Sequence, residues 1–414
     1  MHTDQQQELR AQVAALDLEQ IDVSDPGLFQ NDTVGHHFER LRREAPIHYR
    51  KDGMYGSFWS VTRFNDIVEV DKNHAAFSSD SRYGGVAIWD RGRYRQNFLN
   101  MDPPRHDDYR KVVSPVVAPQ NLANLEGLIR SRAIECLESL PVGETFDWVE
   151  RVSKNLTTQM LATLFDVPFE DRHWLPVWSD MAIVDVNAGT PITSEESREQ
   201  HLQPCYDYFA RLWNERVRKE PGKDLISMLA HSETARTMTP DELRGTIILL
   251  IIGGNDTTRN SISGGLLALN EHPSEYQKLR DNPGLIPNMV SEIIRWQSPL
   301  AHMRRTAVAD TRLGDRQIRA GDKVVMWYLS GNRDSDVIAD ADRFLIDRQN
   351  ARHHLSFGFG IHRCVGNRLA ELQLRILWEE IMRRFRFIEV VGPAVRTYSN
   401  FVHGIESLPV RIHG

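Results

Sequence analysis

Thr239-Pro240-Asp241-Glu242 opens the longest regular element that this sequence specifies. Threonine caps, proline suits the first helical position, and glutamate three residues after threonine closes a capping box. Helical periodicity then continues to about Asn270, where Glu271-His272-Pro273 ends it. Some 30 residues of helix span about 45 Å, enough to cross a whole domain. Other elements have to pack around that rod. Further helical patterns cover residues 122–140, 156–165, 202–217 and 369–385. Residues 46–62 read as a hairpin turning at Asp52-Gly53, and 324–329 and 387–391 as short strands. The expected class is mainly α with small β-sheets. Nothing resembling a linker or repeat interrupts residues 1–414, so one domain is expected, with a helix-like extension over about 1–35 that includes an amphipathic surface helix at 9–18.

A net charge of −7 argues against nucleic acid as a partner, since phosphate binding needs a basic surface. The first twenty residues are polar and lack the apolar core of a secretory signal. The longest apolar run, 247–252, ends in Gly253-Gly254, and a membrane span needs about 20 residues, so no membrane anchor is expected. Cys136, Cys205 and Cys364 form no Cys-x-x-Cys pair; an odd, sparse set suits a reducing compartment and points to the cytoplasm.

Chemistry concentrates in Phe357-Gly358-Phe359-Gly360-Ile361-His362-Arg363-Cys364-Val365-Gly366. The glycines permit tight turning and close approach of the backbone to a flat ligand. A helical pattern starts just after Cys364, where free N–H groups favour thiolate over thiol. Residue chemistry alone leaves three readings: a buried cysteine at a helix start, a nucleophile with His362 as base, or a thiolate metal ligand. A second polar cluster, Gly253-Gly254-Asn255-Asp256-Thr257-Thr258, interrupts the long helix. Two glycines there cost about 2 kcal/mol of helix propensity. A Thr257 hydroxyl bonding back to Gly253 would open a local groove, with Asp256 and Thr257 offering an acid and an alcohol.

The 357–366 stretch resembles the haem-binding loop of cytochromes P450, with His362 at a position where many members carry arginine. The likeness extends from about residue 38 to 410. It implies the P450 fold, haem b with Cys364 as axial thiolate, and Phe357 and Gly366 beside the cofactor. By the same resemblance, His106, Arg110, Arg305 and His362 contact the haem propionates, which need cationic or hydrogen-bonding partners. Thr257 and Asp256 are implied to manage protons during O2 activation. Glu292-Ile293-Ile294-Arg295 matches the family's Glu-x-x-Arg motif, with Arg343 as the expected third member and Ala341 replacing the usual proline; these residues brace the cysteine loop.

The resemblance further implies a monooxygenase fed by a [2Fe-2S] ferredoxin and its reductase, received near Lys111, Arg352, Arg363 and Arg375. Pocket walls fall, by family position, at Val86, Ile88, Phe98, Leu99, 181–186, Ile251, Ile252, Gly253, Leu300 to Met303, Phe401 and Val402. They suit an apolar small molecule. Runs 249–265, 288–307 and 354–380 are similar to the soluble bacterial alkane hydroxylases, which oxidise terminal methyls of medium-chain alkanes and fatty acids. A monoterpene hydroxylase is the alternative within the family. A haem-binding sensor without catalysis is the alternative outside it, disfavoured by the Asp256-Thr257 pair.

Overall fold

The capping box at Thr239 is present: its hydroxyl accepts from the Glu242 amide at 3.3 Å, and the Glu242 carboxylate accepts from the Thr239 amide at 2.7 Å. The computed structural model describes residues 3–90 and 96–413. Helix Pro240–Glu271 runs for 32 residues. Its close approach to helix Ile286–Gln297 depends on two glycines. A Cβ at Gly264 would stand 2.1 Å from the Gln297 side-chain oxygen, and one at Gly265 2.7 Å from Ile293 Cδ1. The long helix also packs on Trp174–Ile183, Asn155–Phe165 and Asn367–Arg384, and so lies inside the helical layer.

Beside this layer stands a five-stranded sheet in the order Ile47–Gly53, Gly56–Val61, Lys323–Trp327, His302–Ala307, Phe77–Ser78. Its pairings are antiparallel except between Gly56–Val61 and Lys323–Trp327. All six residues of His302–Ala307 are buried, so that strand is covered on both of its faces. The mainly helical class with small sheets is therefore as expected from periodicity.

Several boundaries differ from the sequence expectation, each for a local reason. The hairpin turns at Met54-Tyr55, not Asp52-Gly53, because Gly53 pairs with Gly56 after a register irregularity; Asp52 takes a φ of 51° on the way. The strand expected at 324–329 stops at Trp327, and Tyr328–Gly331 forms a helical turn. Helix Glu195–Arg216 starts seven residues before 202, because Ser194 caps it by accepting from the Ser197 amide. A π-helical segment, Val149–Lys154, leads into Asn155–Phe165. The first helix is Thr3–Ala15, displaced from 9–18 and tied to Val34–Glu44 by Arg10 and Glu39 at 2.9 Å. Residues 1 and 2 of the expected extension, 91–95 of the expected pocket loop, and 414 lie outside the described residues. Among those described, no helix is long and apolar enough to cross a membrane.

Candidate active site

Gly358 and Gly360 both take left-handed backbone angles, φ 65° and 66°. At Gly360 a Cβ would also lie 2.6 Å from the backbone oxygen of Asp71, so glycine is required there twice over. The turn closes when the Cys364 amide donates to the Phe357 carbonyl at 2.8 Å. Helix Asn367–Arg384 starts directly behind.

The loop is anchored by one buried carboxylate. Asp71 accepts from the Phe359 amide at 2.7 Å, the Arg305 guanidinium at 2.8 Å and the Tyr328 hydroxyl at 3.0 Å. A buried carboxylate with three donors is compensated, and it ties helix Phe64–Lys72, strand His302–Ala307 and the cysteine loop together.

Cys364 opens onto a cavity of about 330 Å³. Its sulfur is reached from that cavity although the residue sits deep within the protein, so its environment is an interior one. Burial pushes the thiol up. The Gly366 amide, Arg110, Arg363 and the Asn367 amide pull it the other way without prevailing. The helix N-terminus is thus present, as expected, but desolvation outweighs it in the protein alone; a bound cation supplies the missing compensation.

Above the cysteine, two imidazoles meet edge to face, His106 and His362, with centroids 4.6 Å apart. His106 Nδ1 lies 2.8 Å from Asp107 and His362 Nε2 lies 2.8 Å from the Ser79 hydroxyl. The other nitrogen of each ring, His106 Nε2 and His362 Nδ1, is buried without a protein partner. Burial lowers the pKa of both rings, and nearby cations lower His362 further. Arg110, which donates to the Arg363 carbonyl, and Arg305 border the same end of the cavity, as do Phe357 and Gly366. At the cavity, His362 with its orphaned nitrogen, two guanidinium groups and a cysteine fit a flat, anionic, metal-bearing group, with His106 packed behind His362 and not itself in the lining.

The long helix closes the opposite side. Thr257 donates to the Gly253 carbonyl at 3.0 Å and borders the cavity. A Cβ on Gly253 would meet nothing within 4 Å, whereas one on Gly254 would stand 2.6 Å from Leu161 Cδ2. The two glycines thus differ in purpose: the first leaves cavity space, the second permits helix packing. Asp256 points elsewhere. It is fully buried, accepts from the Ser179 hydroxyl at 2.6 Å and pairs with Arg259 at 2.6 Å; Arg259 continues to the half-exposed Asp180 at 3.0 Å. Burial, partly offset by Arg259, pushes the Asp256 carboxyl up to about 6. Thr257 is at the cavity and Asp256 behind it. Ser179 and Asp180 carried no sequence signal, but Arg259, one helical turn past Asp256, could have been found.

The remaining walls are mainly apolar, with Asn97, Asn100, Thr258 and Ser261 as polar members. Val86, Leu99, Ile252, Gly253, Leu300, Met303 and Phe401 line the cavity as expected, as do Phe98, Ala182 and Ile183. Ile88, Ile251 and Val402 do not, nor do Met181, residues 184–186, Ala301 and His302. Ile88 packs with Phe29, Phe38 and Trp327, and Ile251 with the helical core. Val402 is 2% exposed and bridges Leu300 in a strand-like pairing that sends its neighbour Phe401 inward. Trp89, Ile248 and Leu249 are lining residues that the sequence did not single out.

A family model described as "Cytochrome P450" matches residues 193–283 and 284–404. The solved structure of cytochrome P450-153 from Novosphingobium aromaticivorans is 44% identical, covers 95% of this chain and 99% of that one, and superposes with a TM-score of 0.88. Linalool 8-monooxygenase of Pseudomonas putida is 36% identical over 95% of this chain and 99% of its own length. Methyl-branched lipid omega-hydroxylase of Mycobacterium tuberculosis is 32% identical over 90% of its own length and 90% of this chain.

The chain belongs to the cytochrome P450 family.

P450s use haem whose iron is held by a cysteine thiolate. In this P450 the brace behind the cysteine loop departs from expectation at one position. Glu292 pairs with Arg295 as anticipated, but the third member is Arg348, whose Nε lies 3.0 Å from the Glu292 carboxylate. Arg343 is 66% exposed and contributes only its carbonyl, which accepts from Arg295 and Arg348. The chain between 343 and 348 turns back, so the later arginine faces inward. Ser356 links the brace to the loop by donating to the Ile294 carbonyl at 2.8 Å. On the outer face of this P450, Arg352 is paired with Glu371, and Arg375 with Glu126 and Glu379. Lys111 and Arg363 are exposed there as well.

Proposed function

We propose that this P450 is a monooxygenase that hydroxylates the terminal carbon of medium-chain alkanes or fatty acids. Its carrying observation is the cavity wall: between Cys364 and the long helix the lining is mainly aliphatic and aromatic, with Leu99, Ile248, Leu249, Ile252, Leu300 and Phe401 among its members. Such a wall binds by burial of apolar surface and orients a chain by shape. Terminal attack is chemically harder than attack on an internal methylene, so it depends on presenting only the chain end. Likeness to soluble bacterial alkane hydroxylases and to a lipid omega-hydroxylase supports this choice.

In this reading residues 1–414 form one P450 domain in the cytoplasm. Cys364 would hold the haem iron, His106, Arg110, Arg305 and His362 would hold its propionates, and Phe357 and Gly366 would border it. Haem bound there supplies reductive activation of O2. Thr257 offers its hydroxyl at the cavity edge as the local proton donor. Asp256 replenishes that proton from the side of Ser179 and Arg259, and its carboxyl near neutrality suits the task. Per turnover the substrate gains one oxygen atom, the second leaves as water, and two protons and two electrons are consumed. The electrons come from a [2Fe-2S] ferredoxin and its reductase, docking where Lys111 and Arg363 are exposed.

Absorption titration of the ferric protein with octane, dodecanoic acid and a monoterpene tests the substrate class. A low-to-high-spin shift with the linear chains, followed by recovery of the terminal alcohol, is the expected result. A shift with the monoterpene alone would replace this reading by a second one, a monoterpene hydroxylase, which the 36% identity to linalool 8-monooxygenase favours. Cys364→Ser should abolish the thiolate spectrum, and Thr257→Ala should separate reductant consumption from product formation. Unchanged coupling in the latter would remove Thr257 from proton delivery.

A further inference from the structure

Strand His302–Ala307 works on two faces. Side chains alternate across a strand, and here Met303 and Arg305 border the cavity. On the other face, Arg304 lies 2.7 Å from Asp90 and donates to the Tyr83 carbonyl at 3.1 Å, and Thr306 donates to the same carbonyl at 2.7 Å. His302 joins this grip and also reaches a second wall segment.

Its Nδ1 lies 2.9 Å from the Asn400 carbonyl, which can only accept, so Nδ1 carries the hydrogen. That leaves Nε2 to accept from the Ile88 amide at 3.3 Å. The ring meets Trp89 edge to face at 6.4 Å and Phe401 at 5.2 Å, and those two rings meet each other at 5.5 Å. Trp327 backs the imidazole at 4.9 Å. Trp89 and Phe401 line the cavity, whereas His302 is fully buried behind them. Burial also takes its pKa down to about 4, so the neutral tautomer with one donor and one acceptor persists at neutral pH.

We propose that His302 is a positioning residue for specificity: it fixes Trp89 and Phe401 as one wall of the substrate cavity and thereby sets how a bound chain is oriented. The inference rests on the cavity being the substrate pocket. Trp89 stands on an irregular segment with Tyr55 against its ring at 6.2 Å, and Phe401 stands beside the Leu300–Val402 bridge, which fixes the backbone but not the ring. One imidazole touches both rings and joins them. Phenylalanine would fill the same space but leave the Ile88 amide and the Asn400 carbonyl unpaired in the interior. Asparagine would keep a donor for the Asn400 carbonyl alone.

The test uses His302→Phe and His302→Asn holoproteins, the ferrous–CO spectrum, and absorption titrations with imidazole and 4-phenylimidazole. Imidazole needs only access to the iron; 4-phenylimidazole must also fit against the wall. Both variants should keep the thiolate spectrum and the wild-type affinity for imidazole. His302→Phe should bind 4-phenylimidazole more weakly, on the order of tenfold, and lower the ratio of terminal to internal alcohols from octane by a similar factor. His302→Asn should fall between it and wild type. Unchanged 4-phenylimidazole affinity with an unchanged octane product ratio overturns the proposal. Should His302→Phe fail to take up haem, the same two readouts on His302→Asn decide. If wild type does not oxidise octane, terminal oxidation of linear chains is refuted, and the 4-phenylimidazole comparison still decides the role of His302.

Discussion

The carboxylate of Glu292 holds two arginines at once: Arg295 approaches through Nε and Nη2, each at 2.7 Å, and Arg348 through Nε at 3.0 Å. Glu292 and Arg295 are fully buried, and the Arg348 side chain is 6% exposed. Removing one partner from such a group leaves charge without compensation, a loss of about 3–5 kcal/mol. Arg348→Ala should therefore lower the denaturant midpoint sharply and reduce haem retention. Arg343→Ala, at an exposed side chain, should stay within about 0.5 kcal/mol of wild type. Equal losses in the two variants would refute the assignment of the third brace residue.

Adjacent glycines in the long helix should respond oppositely to alanine. Gly253→Ala meets open cavity, so it should gain about 1 kcal/mol of helix stability while shrinking the pocket beside Thr257. Gly254→Ala drives a methyl into Leu161 and should cost about 1–3 kcal/mol. Thermal midpoints, paired with octane-induced spin shifts, distinguish the two.

Asp256 should leave a pH signature on stability. Its folded pKa, about 6, stands above the ordinary carboxylate range. The folded state therefore holds the proton more tightly, and the stability this brings is complete at low pH and lost as pH rises through that value. Asparagine stays neutral throughout. Between about pH 4 and about pH 7, the stability of Asp256→Asn relative to wild type should rise. A parallel pH dependence of the two unfolding midpoints would show that Asp256 titrates normally.

The start of the long helix offers a separate stability test. Thr239→Ala removes the hydroxyl that receives the Glu242 amide and should cost about 1 kcal/mol, largely recovered by Thr239→Ser.

Features written in neighbouring residues were legible from the sequence. The capping box, the glycines before Cys364 and the Thr257-to-Gly253 bond depend on spacing along one segment, and all three are present. Motif spacing points to Arg343 and not to the actual partner, Arg348, because spacing cannot register a loop that doubles back. Ile88 and Val402 were assigned to the pocket because apolar character looks the same on either side of a wall; side-chain alternation, fixed only by strand-like pairing, decides which neighbour turns inward. His302 falls within the expected wall segment 300–303, but its place behind the wall is not legible, since it depends on an amide 214 residues away and a carbonyl 98 residues away.

The Asp71 anchor carries a consequence for biosynthesis. Its loop partner, the Phe359 amide, lies 288 residues further along the chain. At about 5–20 residues per second, a ribosome needs roughly 15–60 s to travel that distance. Through that interval the nascent chain holds half of the knot that secures the cysteine loop, and the other half is still untranslated. Cofactor capture thus waits until the segment around Phe359 has been translated, and a chaperone guarding the segment around Asp71 would have to keep it folding-competent until then.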